Sequence, residues 1–391
     1  MRRLTIGINT EAVENNARII KKIIGKAEII AIVKADGYGH GAVEIAKAAS
    51  RAGVTHFGVA TAEEAFALRD AGIDGGILVL GACYDYCAEE CVRQDIAQTV
   101  FSLEAAETIS KAAQKQLKTA EIHIKVDTGM ARLGFHMADA ARAASVLSLP
   151  NINVSGVFSH FAESDACDKA FSLSQKHKFD LFCGVFERAG FSGKKHMANS
   201  AAILNLGADG VFYDYVRPGI LLYGISPSSA IDISSLGFSP VMSVTSGIID
   251  IRRLGENETV GYNRTFFASR DTIVATVPIG YADGFPRALS NSGKAVINGC
   301  VVPVIGNVCM DLTMFDVTNV VGGVKIGDAV TIIGKNGGSQ GDSNFAHEAK
   351  FSLCLDEITM ADFAKQSGAS AYESVCLIGS CARGERIYYK D

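Results

Sequence analysis

The chain has 391 residues, enough for two domains, and its 48% hydrophobic and 20% charged content is that of a globular protein, not a disordered one. A formal net charge of −5 argues against nucleic acid or an anionic membrane as the main partner. No apolar run reaches transmembrane length and the start, MRRLTIGINTEAVENN, lacks the apolar stretch of a secretory signal, so a cytoplasmic protein is expected.

The first strong element is Ile29–Val33, a β-branched run of the kind that forms a strand buried on both faces. Lys34 sits where that strand leaves the core, followed by Gly37, Gly39 and Gly41 and a helical pattern over 41–53. Partial desolvation at the apolar end of a strand disfavours the charged form of a lysine, which is what a Schiff-base lysine requires. Two other readings stay open here. The lysine could snorkel to solvent. Alternatively, Gly37, Gly39 and Ala42 satisfy G-x-G-x-x-[GA], with Glu63 and Glu64 about 20 residues on, as in a dinucleotide-binding turn.

Strand patterns follow at 28–34, 56–60, 77–81, 97–101, 121–127, 152–158, 195–199 and 211–223, with helical stretches at 62–71, 103–115, 137–147 and 168–189. Eight βα units predict an α/β chain whose residues 1–235 close into a (β/α)8 TIM barrel rather than an open sheet. The active site of such a barrel lies at the C-terminal ends of its strands. There the sequence places Lys34, then Asp127 and Arg132 (KVDTGMARLG), His160, Asn199 with Ser200, and Arg217 with Gly219 and Ile220. Each alone reads as a cap or ion-pair residue, but their convergence on one rim is not what a dinucleotide fold predicts. Cys83, Cys87 and Cys91 recur every fourth residue without a second ligand pair, so they read as thiols along one helix of a reduced protein and no metal is expected.

From Ser239 the pattern changes to short β-rich runs separated by Gly, Asn and Asp turns, after linker-like composition at 226–236. Residues 236–391 are therefore expected to form a mostly antiparallel β domain. Its end reads as a glycine-rich loop or hairpin tip at 335–344, a short helix near 359–365 and a final strand near 372–378.

At five separated places the motifs resemble those of alanine racemases, the fold-type III pyridoxal-phosphate enzymes. AIVKADGYGHG resembles the pyridoxal-lysine segment, KVDTGMARLG the arginine segment and HMANSAA the Asn-Ser segment. VRPGILLYG resembles the segment whose arginine faces the pyridine nitrogen, and PIGYADGFPRALSN with GNVCMDLTMFDVT the second-domain site. The resemblance implies pyridoxal 5'-phosphate as cofactor, interconversion of L- and D-alanine, and supply of D-alanine for peptidoglycan. It also implies a homodimer in which the second domain of one subunit completes the active site of the other.

Carried over by residue, Lys34 would hold the cofactor and act as one base, and Tyr281 would be the opposing base, donated by the other subunit. Tyr38, Ser200, Gly219 and Ile220 would hold the phosphate, with His160, Asn199 and Arg217 also at the cofactor. Arg132, Met310 and Asp311 would bind or frame the substrate carboxylate. Lys125 matches a lysine that is carbamylated in some relatives. Racemisation needs a base on each face of the α-carbon, and a cationic neighbourhood of Arg217 and His160 would favour the tyrosinate form of Tyr281. One departure stands out: no tyrosine lies between Tyr372 and Tyr388, and Ser380 or Ala382 takes the place of one usual in the family. This leaves open a serine or broader-specificity racemase. A decarboxylase of the same architecture would use a carboxylate where this chain has Arg217, and a cofactor carrier would lack the second domain.

Overall fold

The computed structural model describes residues 2–82, 84–335, 357–380 and 383–390. Strand β1 (Leu4–Asn9) is followed by eight parallel strands: β2 (Glu28–Ile32), β3 (His56–Val59), β4 (Gly76–Val79), β5 (Ala97–Val100), β6 (Ala120–Lys125), β7 (Ile152–Phe158), β8 (Lys194–Asn199) and β9 (Tyr215–Arg217). β2 to β9 close into a barrel, the last seam pairing Glu28 with Tyr215 and Ile29 with Val216. Burial follows the sequence pattern: in β2 only Glu28 is exposed, as expected of a strand covered on both faces. This closed barrel excludes the open dinucleotide-binding sheet.

Side chains cap the starts of some of the intervening helices. Thr61 and Glu64 form a capping box at Ala62–Asp70, and Ser102 caps Leu103–Lys115. Two expectations change in the barrel. The helix expected over 137–147 is broken into Met137–Asp139, Ala140–Ala144 and Ser145–Ser148, and Pro150 bars extension. The eighth barrel strand is only three residues long, because Pro218 has no N–H to continue it, and a 3-10 turn, Ile220–Tyr223, follows.

By its internal contacts the chain divides into a barrel unit, Val13–Gly37 with Gly41–Phe238, and a β unit, Met1–Ala12 with Tyr38–His40 and Ser239–Asp391. β1 thus belongs to the β unit, which a barrel over 1–235 did not anticipate. It pairs antiparallel with β10 (Met242–Gly247).

The β unit continues through β11 (Asp250–Leu254), β12 (Thr259–Val260), β13 (Phe266–Phe267), β14 (Thr272–Val277), β15 (Lys294–Ile297), β16 (Cys300–Pro303), β17 (Thr313–Asp316), β18 (Ala329–Lys335), β19 (Glu357–Ile358) and β20 (Glu385–Tyr389). Among the described residues its large sheet has the order β16-β15-β18-β10-β1-β20, with β19 on β18, beside a sheet β11-β14-β17 and a ribbon β12-β13. All pairings in the unit are antiparallel except β1 with β20.

The strand expected near 372–378 is instead a helix, Ala371–Gly379. Ser370 accepts the Glu373 N–H, and Ser374, Val375, Ile378 and Gly379 form one buried face at helical spacing. The short helix expected just before it is Met360–Ser367. Apart from Lys335, the loop expected at 335–344 lies outside the described residues, as do Cys83 and Ala382. Cys87 and Cys91 are buried along the helix Asp85–Arg93.

Candidate active site

Lys34 ends the approach of β2 to the barrel rim and opens a left-handed turn. Ala35, Asp36, Gly37 and Tyr38 have φ of 52°, 50°, 63° and 53°. Left-handed backbone costs about 1–2 kcal/mol for each residue with a Cβ, so the turn needs specific support. Glu64 supplies it: Oε1 accepts the Ala35 N–H at 2.6 Å and Oε2 the Ala60 N–H at 2.7 Å. Asp36 Oδ1 accepts the Ala42 N–H at 2.9 Å. The acidic residue that a dinucleotide reading reserves for a ribose is engaged in shaping the lysine turn.

Lys125 ends β6, and Asp127 begins the loop that carries Arg132. Asp127 Oδ1 accepts the N–H groups of Gly129 (2.9 Å) and Ala131 (3.1 Å), and Phe135 returns its N–H to Lys125 O at 2.8 Å. Arg132 is thereby presented on an exposed loop of fixed shape. Lys125 is buried, with Nζ 5.3 Å from the Phe158 ring centre. Burial lowers its pKa to about 8, and the charges of Arg132, Arg217 and Lys34 add to this against Asp127. The rim therefore gathers four basic side chains near Asp127, whose Oδ1 is engaged by the loop backbone.

Asn199 and Ser200 lie at the start of the helix Ser200–Asn205. Asn199 Oδ1 accepts the Ala202 N–H at 2.9 Å and the Ser164 hydroxyl at 2.8 Å, so it caps this helix. Ser200 Oγ accepts the N–H groups of Gly219 (2.9 Å) and Leu221 (3.3 Å), locking the start of Ile220–Tyr223 against it. Two short helical starts thus adjoin, and the N–H groups of first turns have no intrahelical acceptors.

Arg217 is buried, and its partners are all neutral. Nη1 bonds His196 Nδ1 at 2.7 Å, and Nη2 meets Ser159 O (2.6 Å), Met197 O (3.0 Å) and His160 Nδ1 (3.2 Å). Its Nε–H takes part in none of these bonds. Guanidinium only donates, so His196 Nδ1 must accept and the His196 proton sits on Nε2, which donates to His123 Nδ1 at 2.8 Å. A directed line Arg217–His196–His123 therefore runs into the barrel core. Burial, followed by Arg132, lowers the Arg217 pKa to about 9. Burial and the Arg217 charge push His160 and His196 well below the ordinary histidine value, and His123 is lowered to about 3 by burial first. His160 is therefore neutral, and the cationic neighbourhood expected from Arg217 and His160 together reduces to Arg217. The motif reading missed His123 and His196. A histidine within each of the strands β6 and β8 was the available signal.

In the β unit, Tyr38 is buried with its ring centre 6.4 Å from that of Tyr372. Burial, with Tyr372 and Cys376 nearby, holds its phenol pKa above the ordinary value, so it remains a donor. Tyr281 is exposed on a 3-10 turn, Tyr281–Asp283. This turn docks on the segment that holds the other two expected residues, Met310 and Asp311. Tyr281 N–H bonds Cys309 O and Ala282 N–H bonds Met310 O, both at 3.0 Å. Gly280 lies so close to those carbonyls that a side chain there would overlap them. Ser380 caps the C-terminus of the helix Ala371–Gly379.

Residues 8–227 match the family described as "Alanine racemase, N-terminal domain" and residues 241–388 that described as "Alanine racemase, C-terminal domain". The chain belongs to the alanine racemase family. It is 38% identical over 387 residues to the alanine racemase of Clostridium novyi, covering 98% of this chain and 95% of that one. It is likewise 38% identical over 385 residues to that of Methanococcus maripaludis, with 97% of each covered. Among solved structures, alanine racemase from D-cycloserine-producing Streptomyces lavendulae superposes with a TM-score of 0.89 at 31% identity, covering all of this chain and 98% of that one. The Bartonella henselae alanine racemase, with covalently bound pyridoxal phosphate, superposes at 0.86 and 26% identity over the whole of both chains.

The barrel rim fits the cofactor on which alanine racemases depend. Its basic side chains and helical N–H groups suit a phosphate, and Arg217 keeps a donor available without a carboxylate partner. A primary amine, Lys34, stands on a supported turn at the same rim.

Proposed function

We propose that the protein is a pyridoxal 5'-phosphate-dependent racemase that interconverts L- and D-alanine, with Lys34 and Tyr281 as its two bases. When bound, the cofactor supplies an electron sink that acidifies the α-C–H bond of the amino acid. Lys34 would hold it, and the Lys34 amine would move the α-proton on one face. The Tyr281 phenol oxygen moves it on the other. Ser200, Gly219, Ile220 and Tyr38 hold the phosphate, Asn199 and His160 shape the pocket around the ring, and Arg132, Met310 and Asp311 orient the substrate carboxylate.

The observation that supports a racemase over a decarboxylase is the setting of Arg217. With a pKa near 9 it keeps its proton at neutral pH, so it would offer the ring nitrogen a hydrogen bond and no proton. A carboxylic acid in its place would strengthen the sink and favour decarboxylation or transamination.

The assembly proposed is a homodimer with shared active sites in the cytoplasm, making D-alanine for peptidoglycan. Among the described residues no helix is long and apolar enough to cross a membrane. Serine is proposed as a secondary substrate, because Ser380 or Ala382 stands where the family usually has a tyrosine. Borohydride reduction of the loaded protein followed by peptide mapping tests the central claim. The pyridoxyl group is expected on Lys34, with loss of turnover in Lys34→Ala. A label on another lysine, or full activity in Lys34→Ala, would overturn it.

A further inference from the structure

Asp283, two residues beyond Tyr281, is fully buried. Its carboxylate accepts the Gly280 N–H at Oδ2 (3.0 Å) and is gripped by both Arg3 terminal nitrogens, Nη2 to Oδ1 at 2.6 Å and Nη1 to Oδ2 at 3.0 Å. Arg3 also donates to Pro278 O (3.2 Å) and Arg383 O (3.0 Å). Arg383 Nε lies 3.5 Å from Asp283 Oδ1, and its Nη2 bonds Asp311 Oδ1 at 2.6 Å. A chain of alternating charge, Arg3–Asp283–Arg383–Asp311, therefore joins the N-terminal strand, the tyrosine turn, the Met310–Asp311 segment and the C-terminal segment.

The hydrogen bonds of this buried carboxylate to Gly280 and Arg3 tie the tyrosine turn to the segment that leads into β1. Burial alone would push its pKa up, but the Arg3 and Gly280 hydrogen bonds with the charges of Arg3 and Arg383 outweigh it and hold the group below the ordinary aspartate value. The neighbouring backbone adds to the grip. Gly284 has φ +83°, and a side chain there would meet Ile378 Cα and Leu377 O at 2.7 Å. The turn is thus packed directly against the backbone of the helix Ala371–Gly379.

We propose that Asp283, Arg3 and Arg383 are positioning residues that fix the Tyr281 phenol and the Asp311 carboxylate as one rigid unit. The consequence for turnover rests on the reading of Tyr281 as a proton carrier. The rigidity itself does not.

Asp283→Asn keeps the shape and an acceptor for Gly280 but removes the charge that both arginines bind. Arg383→Gln leaves the Arg3–Asp283 pair intact and cuts the tie to Asp311; Arg383 is partly exposed, so this variant is the milder one for folding. With the loaded enzyme and alanine, kcat is expected to fall about a hundredfold in Asp283→Asn and about tenfold in Arg383→Gln, with KM within about threefold. Arg383→Lys should recover part of the loss. 3-Fluorotyrosine placed at position 281 gives a second readout, in which a single sharp 19F line is expected to shift or broaden in both variants. An unmoved line with kcat within about twofold of the starting protein, in either folded variant, overturns the proposal. Full turnover in Tyr281→Phe overturns the proton-carrier reading alone, and the 19F line still decides whether the clamp holds the turn.

Discussion

Replacing His196 with Phe tests whether the histidine line holds Arg217. The phenyl ring keeps the stack on Phe158, whose ring centre lies 4.8 Å away at 4°, so packing changes little. Two hydrogen bonds disappear: that from Arg217 Nη1, and that to His123 Nδ1. A bond to a charged group is worth about 1.5–3 kcal/mol, and an orphaned buried acceptor costs about 1 kcal/mol more, so the loss is about 3 kcal/mol. For a barrel of this size that lowers Tm by roughly 6–12 °C. His123→Phe breaks only the second bond and costs less. The double variant should cost less than the sum of the two by about 1 kcal/mol, because the bond between the rings is lost once. Thermal melts of the four proteins measure this, and 15N NMR should find both rings protonated on Nε2. Additive costs, or a proton on His196 Nδ1, would refute the directed line.

Stability should also fall in mild acid. His123, His160 and His196 are neutral in the fold with depressed pKa values, yet take up protons near pH 6.5 when unfolded. Their contribution is complete above that pH and declines as pH falls toward about 3, by up to about 1.4 kcal/mol per pH unit for each ring. A Tm unchanged between pH 7 and 5 would contradict this. Lys34→Ala and Tyr281→Phe proteins, each inactive, should recover about a quarter of the wild-type sites when unfolded and refolded together, since half the dimers are hybrids with one intact site. No recovery with hybrids confirmed would place both bases on one chain. Serine should be turned over measurably beside alanine, and Ser380→Tyr should lower its kcat/KM relative to alanine about tenfold; absence of serine turnover in the native protein counts against the wider pocket.

The barrel was legible because short strand patterns, most clearly the apolar runs of β2 and β4, alternate with helical ones along the chain. Lys34, Arg132, Asn199, Ser200 and Arg217 could be placed on one rim from strand ends alone. What escaped depended on partners far away in sequence. Nothing near 371–379 distinguishes an apolar helix from a strand except the Ser370–Glu373 cap, and β-branched Val375 and Ile378 favour the wrong choice. β1 looked like the start of the barrel domain, and only its pairing with β10 and β20 assigns it elsewhere. The left-handed course of Ala35, Asp36 and Tyr38 was hidden because non-glycine residues rarely adopt it. Glu64, thirty residues on, supplies the reason it holds here.

The neutral surroundings of Arg217 connect the barrel interior to the choice of reaction. A buried arginine is most simply satisfied by a carboxylate, but in the proposed function that would place a negative charge, and a group able to carry a proton, where Arg217 is read as meeting the ring nitrogen. His196 and His160 accept through lone pairs and add no charge. They can do so only while unprotonated, and the Arg217 charge, with burial, depresses both of their pKa values. Burial and the arginine charge thus keep its acceptors neutral, and Arg217, with a pKa of about 9, stays protonated at neutral pH despite full burial. Charge and tautomer fix one another along the line from Arg217 to His123. A substitution at His123 can therefore alter the donor at the rim without touching it.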